Sequence, residues 1–460
     1  MSALADRPNF LVITVCSLRA DHVGAYGYGA AHTPNLDALA AEGTMFERAW
    51  SNATFTLPSH ISLLTGLHPG HSGVVNVQDA LPEELRTLPE RLRSAGYQTV
   101  AYAPVNTLDD TATASVAGPC RHRREAGPVN RASFYAGGGL ERGFDTFLNG
   151  SDVECRPTFL TDLDDPERPF FAVVHLKTAH SPYAIGLPGS TVTDHRLLDW
   201  AGRMSQDPRA PDSSGAGLPD PAEPSTDDQL TAELARDPAL KQEMLAAYDQ
   251  VVTDVDAEIG DLLDGLRARA LLTNTVVVVV GDHGEAFGER GRLGHQGWLT
   301  PEVLHVPLLV RLPAGRGAGG RVTQDVSLVD LAPTLLELAG SPPLPDPDGQ
   351  SLLPLLLGPG ERVQLGTVIA QASVLEAGAI TRQEVVIQGP LWLNHTVSTP
   401  MWTLWRDVSG AWVDVTAKES GAAASLFAAT GRLPGAWRRS GPSKEITPDE
   451  RRQLELLGYR

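Results

Sequence analysis

Five consecutive valines, Val276–Val280, lie between a Thr-Asn-Thr segment and the polar quartet Gly281-Asp282-His283-Gly284. Valine is stiff at its first side-chain torsion and favours extended backbone. An unbroken apolar run, rather than an alternating one, leaves no face of the strand for water, so it reads as a central strand covered on both sides. Covering both faces of a mostly parallel sheet takes helices on each side. In such sheets ligands gather where the strands end, at their carboxyl edge. The polar residues that follow the valines fall at that edge.

The rest of the chain supplies matching elements. Asn9–Val15 (NFLVITV), Tyr97–Ala103 (YQTVAYA), Pro169–Leu176 (PFFAVVHL) and Leu308–Leu312 read as further strands. Helical patterns run from Thr33-Pro34 to Glu42 with a stop at Gly43, over Leu85–Ala95, from about Ala239 to Ala270, and over Val326–Gly340. The expected fold is therefore α/β, a mostly parallel central sheet flanked by helices. Pro104–Cys155 is irregular and Gly-rich, and residues 186–224, rich in Pro, Ser, Asp and Gly, read as a long surface insertion. No internal repeat is present.

Four segments follow strands and carry chemistry in place of apolar residues: Cys16–His22 (CSLRADH), the stretch around Thr56, Lys177–Tyr183 (KTAHSPY) and Gly281–Glu285 (GDHGE). In Thr54–Pro69 (TFTLPSHISLLTGLHP), Pro58 and Gly66 bracket a short helix from about Pro58 to Thr65, with Thr56 at or just before its N-cap. A hydroxyl there faces unpaired N–H groups and the positive end of the helix dipole, which suits an anion and makes Thr56 a candidate nucleophile. The plainer reading is that Thr56 or Ser59 caps a helix. Asp282 beside His283 suits a divalent cation, or is simply two polar residues in a turn. Gly281 and Gly284 would permit unusual backbone angles and close approach. His295 and His305 are weak signals singly, since a lone histidine near a strand is ordinarily a hydrogen-bonded structural residue.

Composition narrows the partners. With 460 residues, 42% apolar and 20% charged, the chain is ordinary globular material. A net charge of -19 argues against nucleic acid or an anionic membrane as partner, and requires a local cationic site for any small anionic substrate. Cys16, Cys120 and Cys155 form neither a disulfide framework nor a zinc ribbon pattern. The N-terminus enters a strand without a basic flank or long apolar segment, so a cytoplasmic location is expected. The sequence leaves the oligomeric state open.

Read together, these motifs resemble the sulfatase family of the alkaline phosphatase superfamily. PNFLVITV followed by SLRADHVGAYGY and TPNLDALAAEG resembles the family's opening strand, metal loop and first helix. TLPSHISLLTGLHP stands at its nucleophile motif, and GDHGEAFGERGRLGHQG resembles its second metal motif and the histidine that follows. HVPLLVRLP, DLAPTLLELAG, DGQSLLPLLLG and a C-terminal ERRQLELLGYR resemble the usual continuation. The resemblance implies a large α/β domain over residues 1–345 and a smaller α+β subdomain over 346–460. It also implies one divalent ion and hydrolysis of a small anionic sulfate, phosphate or phosphonate ester. Carried over by residue, it makes Thr56 the nucleophile and Cys16, Asp282 and His283 the metal positions. His180 and His295 would hold the anion or protonate the leaving group. Lys177 is an additional anion contact or a solvated lysine at a strand end. Asn106, in APVN, stands where many sulfatases carry a Lys and a His, so those two contacts are absent. His60 occupies the place of the arginine beside the nucleophile, on the substrate side.

Two departures shape the expectation. Threonine cannot become the formylglycine that many sulfatases form from Cys or Ser, so Thr56 would attack in line as an alkoxide, which tilts the substrate towards phosphate or phosphonate, or the reaction towards transfer. Cys16 stands where relatives carry an aspartate ligand. As a thiolate it would favour a zinc-like ion over calcium or magnesium. Otherwise Asp21 takes over with Ca, Mg or Mn, or the site has lost its ion. The second reading is then a degenerate member of the fold that binds an anion or a partner without turnover.

Overall fold

The structure, a computed structural model, describes residues 7–102, 138–148, 168–204, 226–358 and 367–426, with short breaks at 31, 78, 188, 296, 377–378, 397–401, 410, 420 and 424–425, and also residues 160, 163 and 165. Asn106, Cys120, Cys155, most of the 186–224 segment and the ERRQLELLGYR stretch lie outside the described residues.

The main sheet is built from β1 (Asn9–Val15), β2 (Thr44–Trp50), β3 (Gln98–Tyr102), β4 (Thr146–Leu148), β5 (Phe170–Leu176) and β6 (Thr275–Gly281). After a short ribbon, β7–β8 (Ala286–Phe287 and Leu293–Gly294), it gains β9 (His305–Arg311) and β10 (Gly320–Ser327). The strand order is β10-β2-β9-β6-β1-β5-β3-β4. All pairings are parallel except those of β9, which runs antiparallel to β2 and β6. The valine strand β6 and its neighbour β1 are central. Val277 and Val279 join Leu11, Ile13 and Val15 in one core, while Val276, Val278 and Val280 join Phe10 and Val12 in the other. Each buried valine contributes about 1.5–3 kcal/mol, enough to offset the cost of ordering its own backbone.

The first core is covered by α1 (Pro34–Glu42) and α4 (Pro238–Ala268), and the second by α2 (Thr56–Thr65), α3 (Leu88–Ser94) and α5 (Leu331–Leu338). α3 is shorter than the apolar pattern suggests because Thr87 and Glu90 form a capping box that starts it at Leu88. α2 starts two residues earlier than expected, at Thr56, and ends as expected at Gly66, which is left-handed with φ +68°.

β2 and β10 escape the sequence reading. Glu47 and Arg48 interrupt the apolar pattern of β2, and their charges are met by Arg321 and Asp325 of β10, each pair at 2.7 Å. β10 is an edge strand with alternating exposed positions. Beyond it lies a five-stranded antiparallel sheet, β11–β15 (Val368–Glu376, Ala379–Gln388, Leu391–Thr396, Trp402–Val408 and Ala411–Asp414). Its Val368, Ala370, Val385, Ile387 and Trp392 pack on Trp50, Leu299, Val303 and Leu304. Among the described residues no helix is long and apolar enough to cross a membrane.

Candidate active site

β1 lies between β5 and β6, and both ladders continue past the strands' carboxyl ends: Cys16 N–H donates to Leu176 O of β5 at 2.8 Å and Asp282 N–H to Val15 O of β1 at 3.1 Å. Cys16 and Asp282 therefore leave the sheet together at its carboxyl edge. Ser17, next to Cys16, has φ +57°, a left-handed geometry disfavoured for a residue with a Cβ. The turn brings its N–H to Asp282 Oδ1 (3.2 Å), which also accepts the N–H of His283 (2.7 Å). Gly281 and Gly284 are needed for space and not for positive φ. A Cβ on Gly284 would lie 2.2 Å from Glu302 O, and one on Gly281 2.6 Å from Leu18 O.

α2 enters the same edge with its first residue. Thr56 is the N1 residue and Phe55 the N-cap, with no side-chain cap bond, so neither Thr56 nor Ser59 caps the helix. Ser59 Oγ instead lies 2.6 Å from the carbonyl oxygen of Asp282, and Ser51 Oγ lies 2.5 Å from the same atom. These hydroxyls fasten the helix to the Asp282 turn. Thr56 Oγ1 then sits 3.7 Å from Cys16 Sγ and 3.4 Å from His283 Nε2. The His283 Nδ1–H donates to Gly284 O (2.9 Å), which turns the Nε2 lone pair towards Thr56 and towards Asp282 Oδ2 at 3.7 Å.

His295 and His180 face this group. The His283 and His295 rings are 4.3 Å apart at their centroids, and those of His180 and His295 5.3 Å. His295 Nδ1 lies 3.0 Å from the buried Glu285 carboxylate, and His180 Nδ1 2.8 Å from Ser181 O. Burial, then the nearby charge of Lys177, pushes the His180 pKa well below its ordinary value. Lys177 also lowers the pKa of the Cys16 thiol, but burial and the Asp282 charge dominate and drive that thiol well up. Burial alone would raise the Asp282 carboxyl. The rings of His283, His175 and His60 and the His283 N–H outweigh it and hold the group below the usual carboxylate value.

Two expectations change, those for His60 and Asp21. His60 is not free to meet a substrate, because Nδ1 lies 2.8 Å from Thr56 O and Nε2 2.8 Å from Thr14 Oγ1, both inside the protein. Asp21 does not stand in for Cys16: its carboxylate is largely exposed and is taken by the Arg19 guanidinium at 2.9 and 2.8 Å. His305 is structural, with Nε2 2.9 Å from Glu47 O.

The sequence reading also missed His175. This residue lies inside β5, in register with Thr14 of β1. Cys16, His175 and Asp282 are all buried, and each brings a donor atom within 4.8 Å of the other two. Asp282 Oδ2 and His175 Nε2 are buried with no hydrogen-bond partner among the described residues. Unpaired buried polar atoms are costly. Two of them converging with a thiol form a donor set that fits a divalent cation of borderline softness. The signal was present: a single histidine interrupts the otherwise apolar strand PFFAVVHL.

The comparisons with known proteins bear on the family and the fold. The family model described as "Sulfatase" matches residues 8–341. An N-acetylglucosamine-6-O-sulfatase from Bacteroides thetaiotaomicron is 24% identical over 405 residues, covering 77% of this chain and 72% of its own. An arylsulfatase from Clostridium perfringens is 24% identical, covering 72% of this chain and 75% of its own. The crystal structure of a phosphonate monoester hydrolase from Agrobacterium radiobacter superposes with a TM-score of 0.65 at 20% identity, over 92% of this chain and 94% of that one. With a family match that spans most of its length, the chain belongs to the sulfatase family of ester hydrolases.

Proposed function

We propose that this protein hydrolyses a small anionic ester with Thr56 as the nucleophile, phosphate and phosphonate esters ahead of sulfate esters. The observation that carries the proposal is the position of Thr56 Oγ1 at the first turn of α2, between Cys16 Sγ and His283 Nε2. An unmodified hydroxyl attacks phosphorus readily in related chemistry, whereas the aldehyde hydrate used on many sulfate esters cannot form from threonine. Relatives with either kind of substrate in their names match this chain.

Cys16, Asp282 and His283 would hold a divalent ion, whose Lewis acidity favours loss of the Thr56 proton and offsets the substrate's charge. Thr56 passes its proton to solvent, its Oγ attacks the phosphorus or sulfur in line and the ester oxygen departs, leaving a covalent threonine ester. His295 gives the leaving oxygen its proton. Among the site histidines, it alone has a carboxylate, Glu285, against its far nitrogen. Water then attacks the covalent ester, His295 takes the water proton, and the Thr56 oxygen leaves and takes a proton back from solvent as the phosphate, phosphonate or sulfate anion is released. Lys177 and His180 border the anion.

One observation favours a second reading, anion binding without turnover: Cys16, at a position where relatives carry an aspartate, is wholly buried, and burial with the Asp282 charge pushes its thiol pKa up. Steady-state assays on nitrophenyl phosphate, a nitrophenyl phosphonate monoester and nitrophenyl sulfate separate the two. Turnover of the phosphorus esters above the sulfate supports the proposal. Absence of turnover on all three, with Zn, Mn or Ca added, overturns it.

A further inference from the structure

We propose that His175 is a ligand of the site's divalent ion, and that a hydrogen-bond chain through Thr14 and His60 holds it in the tautomer this requires. The inference rests on the ester-hydrolase reading only for the presence of an ion.

The chain is read from its one unambiguous end. The Thr56 carbonyl oxygen can only accept, so His60 Nδ1, 2.8 Å away, carries the hydrogen. In a neutral ring His60 Nε2 then has a lone pair, and the Thr14 hydroxyl, 2.8 Å away, spends its single hydrogen on it. Thr14 Oγ1 is left as an acceptor for His175 Nδ1 at 3.0 Å, which must carry a hydrogen in turn. His175 Nε2 is therefore an unprotonated donor. It is this atom that is buried without a hydrogen-bond partner among the described residues, in the ring grouped with Cys16 and Asp282.

Strand register makes the arrangement rigid. Thr14 and His175 are paired residues of adjacent parallel strands, so they point to the same face of the sheet. That face is the one under α2, where Phe10 and Val12 are apolar core. His60 reaches Thr14 from α2, and its ring meets that of His175 edge-on with centroids 4.7 Å apart. Metal-bound histidines characteristically give their second N–H to a protein oxygen that fixes ring and tautomer, and Thr14 does this here. A purely structural histidine would be expected to use both nitrogens.

The consequence is selectivity. Sulfur, nitrogen and one carboxylate oxygen suit a zinc-like ion, whereas calcium and magnesium prefer six or more oxygens. On binding, the Cys16 thiol releases its proton and the thiolate takes the ion.

The test loads purified full-length protein with Zn or Co(II), measures bound metal by elemental analysis, and records the cobalt spectrum. Wild type should hold about one ion per chain and give strong near-ultraviolet thiolate-to-cobalt absorption with visible bands typical of low coordination number. Calcium should not displace the ion. His175→Ala should lose the ion on gel filtration. Thr14→Val keeps the ring and nearly the same volume but removes the hydroxyl, so it should weaken metal binding by about 10–100-fold and shift the visible bands. It also covers the case in which His175→Ala fails to fold. His175→Ala with full cobalt and an unchanged spectrum overturns the inference and leaves the hydrolase reading standing. So does Thr14→Val with unaltered affinity. A wild type that turns over phosphonate esters while retaining only calcium likewise overturns the inference alone. A wild type that binds no divalent ion overturns both.

Discussion

The Ser59 hydroxyl lies 2.6 Å from the carbonyl oxygen of Asp282, a residue 223 positions further along the chain. Ser51 reaches the same oxygen from the end of β2, its one hydrogen shared between this oxygen and Ala53 O at 2.7 Å. The first turn of α2 and the turn after β6 are thereby locked at one register, which sets the distance from Thr56 to His283. Removing one hydroxyl leaves the carbonyl with its other partner, at a cost of about 1 kcal/mol. Removing both strands a buried acceptor and adds its desolvation penalty of about 1–3 kcal/mol. Urea unfolding of Ser51→Ala, Ser59→Ala and the double variant should give a double loss larger than the sum of the singles. Strict additivity would mean that the two serines act independently.

Thr56→Ala separates chemistry from stability. Because Thr56 makes no cap bond, the variant should lose only about 0.5–1 kcal/mol. Its turnover should fall by a factor on the order of 10³–10⁶, as when a catalytic nucleophile is deleted. Thr56→Ser, which keeps the hydroxyl, should retain measurable activity and form a covalent phosphoryl adduct visible by mass spectrometry after acid quenching. Activity of Thr56→Ala near that of wild type would remove Thr56 from the mechanism.

The polar ends of the strands were legible because each follows an apolar run directly: Cys16 after NFLVITV, Asp282 and His283 after the valines. Local pattern sufficed there, and sheet topology did the rest. His175 was visible only as the one polar residue in PFFAVVHL, since its meaning depends on register with Thr14 and on a helix side chain, His60, that folding brings to it. The role given to His60 failed for the same reason. Sequence places it beside the nucleophile, while packing spends both of its nitrogens within the protein. β2 and β10 were hidden because their charges are matched across strands and not within either one.

Glu285 should act through His295. Its carboxylate lies 3.0 Å from Nδ1 and sets the orientation of the ring. If His295 protonates the departing oxygen, the loss in His295→Ala and Glu285→Gln should depend on the leaving group. A nitrophenolate departs without help, so kcat/KM on nitrophenyl esters, which runs only to departure of the alcohol, should change little, and this is the quantity to compare. Alkyl or unsubstituted phenyl esters should lose about 10²–10⁴-fold in His295→Ala, with a smaller loss in Glu285→Gln. Equal losses across the series would exclude proton donation and leave His295 as an anion contact.

His68 should make the protein acid-sensitive away from the site. It is 7% exposed, and burial lowers its pKa to about 4, against an ordinary value near 6.5; the Asp348 charge opposes this and that of His71 assists. Its Nδ1 lies 3.3 Å from Asn52 Nδ2, which donates to it, so protonation of Nδ1 breaks that bond. Asn52 in turn donates to Ile369 O at 2.7 Å, on β11 of the second sheet. The unfolded chain takes up a proton at His68 as pH falls through about 6.5, whereas the folded chain does so only near 4. The stability held above the unfolded pKa is therefore lost as pH drops between these values. A gap of about 2.5 units corresponds to a loss on the order of 3 kcal/mol. Asp330 works in the opposite sense: burial raises its carboxyl to about 6, so the folded state binds more protons below that pH and the protein gains stability on acidification there. Wild type alone would show the sum of such terms, so the comparison must be with His68→Gln, which cannot titrate. Chemical unfolding at pH 7 and pH 4.5 should show the variant gaining on wild type as pH falls. A difference that does not change with pH would mean that His68 titrates alike in the folded and unfolded states.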